Sequence, residues 1–492
     1  MRLTNSPRIV RYGLVLYFLL PFIFFAYKFK FSLGFNFNEV WWALKSSVLQ
    51  ATTAAIAVSL LAVPVGLALY SLPIRSKEVA KQLLLLPQIL PVFFTALILF
   101  SLINPFPIGS TGIIILFVVI NLGLAAVLIE QSINDKLPKL AIVSEVFSIS
   151  KINFFIKVFL PRMQRDLWHV FFLIFTFCIS SFSIPLIAGD GRSANLEMLV
   201  YEKVFIENNW IAACNIGLFQ SLAIFLISHF IYKKDINELK EAPSVAKTSY
   251  LQSKIGAALG AAYLSFYLGG YLVGILRSVS YLDFLSQYST ELFAALWFSM
   301  KALALCLMLS FMLLMLWLYD FIKNKKFSPV LGFFSLSTVV VGFSFYLFFP
   351  VDSKYDLFKL PIAFSILFFP ALFKIFLQKP IEVLSRQLQI AEVYGLSSTQ
   401  IIIDIILRQI KTPFFLWIGV LSLWLTADYA VSRAVGLQSQ TFGLISESFL
   451  SSYRMPAAYL MSLIIVLTIL LCLPLISLMM KVSYVAYKKL TF

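Results

Sequence analysis

Two glutamates far apart in the chain, Glu145 and Glu392, head the same six-residue pattern: Glu-Val-Phe-Ser-Ile-Ser at 145–150 and Glu-Val-Tyr-Gly-Leu-Ser at 392–397. Three of the six positions are identical, and the other three are close in size and polarity. A carboxylate repeated in this way offers ion pairing to a basic partner group or a solvated charge on a polar face. Other residues able to do chemistry are sparse. His169 and His229 fall in separate apolar runs without metal-ligand spacing. Cys178, Cys214, Cys306 and Cys472 also lie in apolar runs and form no CxxC, so they read as buried free thiols. No GxxxxGK[ST] phosphate loop occurs. The sequence therefore names no catalytic, cofactor-binding or metal residue. Lys301 and Asp428 are the ionisable groups within or beside apolar runs that are candidates for a translocation path, since a charge inside a membrane segment defaults to a functional hypothesis.

The elements that must position these residues are membrane helices. The chain has 492 residues, of which 60% are hydrophobic and only 13% charged, whereas soluble domains carry roughly 25% charged residues. The mean hydropathy is +0.91. About twelve runs are long and apolar enough to span a bilayer, which takes roughly 20 residues each. The first, near 12–27, follows Arg2, Arg8 and Arg11, is followed by Lys28 and Lys30 rather than a cleavage site, and reads as an uncleaved span. Lys and Arg alternate strongly between loops: 28 fall on the side of the N-terminus and ten on the other. By the excess of cations in cytoplasmic loops, both termini are cytoplasmic. The net charge of +16 is accounted for by this bias and requires no nucleic acid.

The two six-residue patterns belong to longer repeated stretches, 142–162 and 389–409, each in a basic segment between the fourth and fifth runs of its half. Six runs per half is an even number, so the halves enter the membrane from the same side as parallel repeats. The expected organisation is 1–232, a polar linker at 233–253, and 254–492. The repeat also reaches the outer loop, where Gly189 matches Gly436, Leu199 to Glu202 faces Leu444 to Glu447, and Ala212-Ala213 faces Ala457-Ala458. Locally, 389–409 reads as helix, break, helix. Gly395 can take a positive φ without steric cost. Ser397 followed by Gln400 has capping-box spacing. The segment 401–407 is too apolar to lie free in water, which puts it at the membrane boundary.

On these residues the chain resembles the permease subunits of binding-protein-dependent ABC importers, whose cytoplasmic motif reads E-A-A-x-x-x-G followed by I-x-L-P. The second stretch supplies Ala391 from the first part, then Gly395, Ile405 and Leu407, with Gln389 in place of the leading Glu and Arg408 in place of the proline. The first supplies Leu160 and Pro161, with Val158 for the isoleucine, Ser148 for the glycine, and Ile142-Val143-Ser144 at the start. The outer segment Ser183-Ile-Pro-Leu-Ile-Ala-Gly189 and the run Leu86-Pro87-Gln-Ile-Leu-Pro91 are similar to the fused permeases of the ferric-iron and thiamine importers.

The resemblance implies an all-α type I importer permease fold of about twelve transmembrane helices, a dimeric cytoplasmic ATPase that uses the ATP, and a periplasmic solute-binding protein. It implies a bacterial inner-membrane location. The coupling residues would be Glu145, Ser148, Ser150, Leu160, Pro161, Ala391, Glu392, Gly395, Ser397 and Leu407, with Glu145 and Glu392 facing basic ATPase residues. Two other readings compete. A proton-coupled carrier of the major facilitator type also has twelve spans, but its charged loop after the second span is replaced here by Pro73-Ile-Arg-Ser-Lys-Glu78. A membrane-embedded transferase would need acidic residues in outer loops, for which Asp190, Glu197, Glu202 and Glu207 are available.

Overall fold

A computed structural model describes residues 6–28, 36–189, 195–232, 251–324, 337–350 and 352–491. Among them the chain is helical throughout, with no strand. In the first half of the sequence the helices are α1 (Ser6–Lys28), α2 (Phe37–Ser71), α3 (Ile74–Leu84), α4 (Leu86–Ile89), α5 (Val92–Leu102) and α6 (Ser110–Lys136). They continue as α7 (Pro138–Val146), α8 (Lys151–Phe154), α9 (Leu160–Ile179), α10 (Ser183–Ala188), α11 (Leu196–Phe205) and α12 (Trp210–Tyr232). The second half holds α13 (Lys254–Ser278), α14 (Leu282–Gln287), α15 (Ser289–Asn324), α16 (Thr338–Phe348), α17 (Ser353–Leu372) and α18 (Lys379–Val383). It ends with α19 (Ser385–Val393), α20 (Ser398–Gln400), α21 (Leu407–Gln409), α22 (Lys411–Ala427), α23 (Ala430–Ala434), α24 (Phe442–Ser451) and α25 (Met455–Thr491).

Six of these helical stretches are long and apolar enough to cross a membrane, and a seventh apolar stretch is a helix pair, α3–α4 with α5, bent by 93° at its break. The break follows from sequence. Pro91 disfavours helical geometry at the residue before it, and Leu90 is extended with ψ 146°. Many large apolar side chains face outward on the long helices, including Leu60 on α2, Met308 on α15 and Leu471 on α25. So much exposed apolar surface suits lipid and not water.

The chain packs as two units, and these are not the sequence halves 1–232 and 254–492. One comprises 32–277 and the other 1–31 together with 278–492. Each unit thus contains the first helix of the opposite half. Most of the expected linker, 233–250, lies outside the described residues.

In the unit 32–277, α13 is held by tyrosines on its face. The Tyr263 hydroxyl donates to the Val119 carbonyl at 2.7 Å, and the Tyr267 hydroxyl lies 3.2 Å from Thr95 Oγ1. Glycines permit close backbone crossings. A Cβ on Gly256 would sit 1.7 Å from the Pro64 carbonyl, and one on Gly123 of α6 would sit 1.7 Å from the Leu84 carbonyl at the end of α3. In the other unit, α1 meets α15, α17 and α22 through an aromatic core. Phe18 packs edge-on against Trp317 with centroids 5.9 Å apart, Trp317 against Phe369 at 5.5 Å, and Phe369 against Trp417 at 6.0 Å. At its basic end α1 places Arg11 3.3 Å from the buried carboxylate of Asp320, which also accepts from Asn324.

The crossing at Gly123 sets a measurable expectation. Gly123→Val forces apart α3 and α6 and costs roughly 2–3 kcal/mol by overpacking, read as a lower unfolding temperature of the detergent-solubilised protein. Gly13→Ala on α1, where a Cβ meets nothing within 4 Å, is neutral or stabilising by up to about 1 kcal/mol from helix propensity.

Candidate functional site: two matched elbows

Both repeated stretches fold into the same object, an elbow in which one helix ends, the chain turns through four residues, and another begins. The match is residue for residue. In the first, α7 ends with the Ile149 N–H donating to the Ser144 carbonyl and the Ser148 N–H to the Glu145 carbonyl, both at 3.0 Å. In the second, α19 ends with the Leu396 N–H donating to the Ala391 carbonyl at 3.2 Å and the Gly395 N–H to the Glu392 carbonyl at 3.0 Å. This pair of bonds is the Schellman termination, which requires a left-handed residue just past the helix. Ser148 supplies it with φ 50° and Gly395 with φ 76°. Glycine does so at no steric cost, whereas an L-residue gives up roughly 1–2 kcal/mol.

Two residues later a serine starts the next helix. The Ser150 hydroxyl accepts from the Asn153 N–H and the Ser397 hydroxyl from the Gln400 N–H, each at 3.3 Å. At Ser397 the box closes, because its own N–H donates to Gln400 Oε1 at 2.9 Å. The helices that follow, α8 and α20, widen at once into π-turns at Phe155–Phe159 and Ile401–Ile406. There the Leu160 N–H reaches the Phe155 carbonyl and the Leu407 N–H the Ile402 carbonyl. Such turns occur often at functional positions. A strut of side-chain amides, Gln409 Nε2 donating to Gln387 Oε1 at 2.8 Å, braces the second elbow.

Of the ten predicted coupling residues, Ser148, Ser150, Gly395 and Ser397 build the two turns. Glu145 is exposed and Glu392 half-buried, each supplying the carbonyl that caps the turn. Ala391 is buried against the elbow. Leu160, exposed, with Pro161 opens α9, and Leu407, half-buried, opens α21. The tips present apolar side chains to the outside: Val146 is 75% exposed and Phe147 73%, while their counterparts Val393 and Tyr394 are 86% and 82% exposed.

The two candidates for a translocation path fall elsewhere. Lys301 is exposed on α15, with Nζ 5.1 Å above the ring of the equally outward Trp297. The helix begins at Ser289, so Lys301 lies about 18 Å along it at 1.5 Å per residue. Asp428 follows α22, and its carboxylate accepts from the Ser432 N–H at 3.1 Å, capping α23. The nearby Arg433 is 2.6 Å from Glu447.

Two charges within or beside predicted spans, passed over by the sequence reading, prove to be partnered. Glu130 of α6 is buried between Lys77 at 2.9 Å and Lys81 at 2.8 Å. Asp356 of α17 is buried and accepts from the N–H groups of Gln438 at 2.9 Å and Ser439 at 2.8 Å. A second matched pair also escaped the reading, because its partners are far apart in sequence. Ser47 on α2 accepts from the Leu196 N–H at 2.9 Å, and Ser299 on α15 accepts from the Phe442 N–H at 3.0 Å, each pinning the start of a short helix, α11 or α24. The caps of these helices, Asn195 and Thr441, shift the outer-loop correspondence by one residue, so Glu447 matches Tyr201 and not Glu202. No known protein family, curated protein or solved structure matches this chain.

The turn chemistry predicts opposite outcomes at matched positions. Ser148→Gly raises the local opening free energy of the first elbow by about 1 kcal/mol, and Gly395→Ala lowers that of the second by about the same. Ser397→Ala removes a cap and lowers it by about 1 kcal/mol. Amide hydrogen exchange at the elbows measures all three.

Proposed function

We propose that this chain is the fused permease of a binding-protein-dependent ABC importer in a bacterial inner membrane, with both termini cytoplasmic. On this reading the seven spans already counted are joined by the shorter apolar helices α12, α16 and α22 and by α1 and α9, which gives twelve arranged as two parallel repeats of the type I permease fold. The partners are a cytoplasmic ATPase dimer, which uses the ATP, and a periplasmic solute-binding protein. The solute is of the kind carried by the ferric-iron and thiamine importers, and the binding protein selects it.

The observation that supports the reading is the pair of elbows. They share turn, cap and π-turn at matched positions, and both expose an apolar tip. A backbone this constrained acts as a lever: a partner that closes on both tips moves the attached helices as rigid bodies. Such a partner does work only if its nucleotide states grip the tips differently. Exposed apolar groups on a short helix fit the helix-in-groove mode of recognition. The carrier alternative lacks its charged loop after the second span, where this chain has Pro73-Ile-Arg-Ser-Lys-Glu78, and the buried Glu130 and Asp320 are ion-paired with Lys77, Lys81 and Arg11.

Copurification with a nucleotide-hydrolysing subunit tests the reading directly, and solute uptake without any such subunit overturns it. Gly395→Pro imposes a negative φ where +76° is needed, and Glu392→Arg reverses the charge at the matched carboxylate. Both variants are expected to insert normally and to lose transport-coupled ATPase stimulation by roughly tenfold, the scale of 1–3 kcal/mol of coupling. Unchanged uptake in both excludes the lever role.

A further inference from the structure

The two elbows share a backbone but not a charge. Between residues 137 and 165 the first carries Lys139, Lys151, Lys157, Arg162 and Arg165 against the one acid Glu145, and all five cations are exposed. The adjoining Lys136 and Asp166 pair with each other at 2.6 Å. Between 384 and 412 the second elbow carries Arg386, Arg408 and Lys411 against Glu392 and Asp404. The difference is concentrated beside the tip. Lys151, directly after the Ser150 cap, stands where the second elbow has Ser398, and Lys157 in the π-turn stands where the second has Asp404. The apolar tips, by contrast, match in kind: Val146 and Phe147 against Val393 and Tyr394.

We propose, resting on the importer reading above, that the first elbow docks on a face of the ATPase partner rimmed by acidic side chains. The second elbow is held mainly by apolar contact. Matched tips call for grooves of similar shape, and unmatched rims call for different charge around them. Rim charges of this kind act chiefly on the rate of encounter and on its salt dependence. The first elbow therefore steers assembly, and the second adds contact once the pair is aligned. Anionic lipid headgroups also attract lysines at a cytoplasmic membrane face. That role would fall to both elbows alike, and the cation both share at the root, Lys139 matched by Arg386, serves it. Of the unmatched cations, Lys151 and Lys157 stand nearest the tip, and Arg162 and Arg165 follow in α9.

The test uses the full chain in nanodiscs of zwitterionic phosphatidylcholine and the ATPase subunit that copurifies with it. Association rates are measured at about 50 mM and about 300 mM salt, across which screening shortens to less than 10 Å. The double variant K151S/K157D, which copies the second elbow, is expected to associate roughly tenfold more slowly at the lower salt and to lose most of the salt dependence. S398K/D404K serves as the reciprocal variant and is expected to leave the first elbow's salt dependence in place. Identical salt dependence in wild type and K151S/K157D overturns the proposal. A loss that appears only when the nanodiscs contain anionic phosphatidylglycerol also overturns it and assigns these lysines to lipid. Failure of the wild-type chain to bind any ATPase subunit overturns the importer reading itself, and this inference with it.

Discussion

The structure of each elbow depends on one constraint: the chain must leave a helix and re-enter another within four residues without abandoning a backbone hydrogen-bonding group. A helix end leaves four carbonyls unpaired and a helix start four N–H groups. The Schellman bonds from Ile149 and Leu396 take up carbonyls on one side of each turn, and the hydroxyls of Ser150 and Ser397 take up N–H groups on the other. Only a left-handed residue between them lets both sets form at once. Once Ser148 and Gly395 hold that conformation, the direction of the second helix is fixed. The exposure of the tip residues and the burial of Ile401, Ile402 and Ile406 follow from it.

What the sequence revealed, and what it withheld, divides along the range of the interactions. The break at Gly395 and the cap at Ser397 were legible because turn and cap chemistry are local: glycine and a serine three residues before a glutamine carry the signal themselves. Ser148 was legible only through the repeat, since serine alone gives no reason to expect a positive φ. The pins at Ser47 and Ser299 were not legible, because each reaches a helix more than 140 residues away and serine is unremarked in a membrane helix. Glu130 was hidden for a similar reason. It closes an apolar run like any boundary residue, and only the folding of α3 against α6 brings Lys77 and Lys81 to it.

The exchange of first helices also lay beyond a reading that divides the chain at its most polar segment. That division follows covalent order, whereas packing follows surface. The tyrosines and small residues of α13 suit hydrogen bonds and close crossings with α2, α5 and α6, and the aromatic face of α1 suits the tryptophan core beside α15 and α17. Neither half of the sequence forms a complete packing unit alone. A chain packed this way links its two halves through structure as well as through covalent order.

Duplication also gives a way to separate constraint from use. After two copies diverge, positions fixed by the fold must stay chemically equivalent in both, while positions that face a partner follow whatever that partner presents. In the elbows the left-handed residue, the serine cap, the π-turn and the apolar tip remain matched, and these are the features that set backbone and shape. The positions that have drifted, Lys151 to Ser398 and Lys157 to Asp404, change charge while the cap and the π-turn stay the same. Had the elbows been simple connectors, drift would be expected at the tips as well, because solvent does not require Val146, Phe147, Val393 and Tyr394 to stay apolar at more than 70% exposure. On the proposed importer reading, an apolar group kept in the open in both copies is explained by a partner surface that covers it.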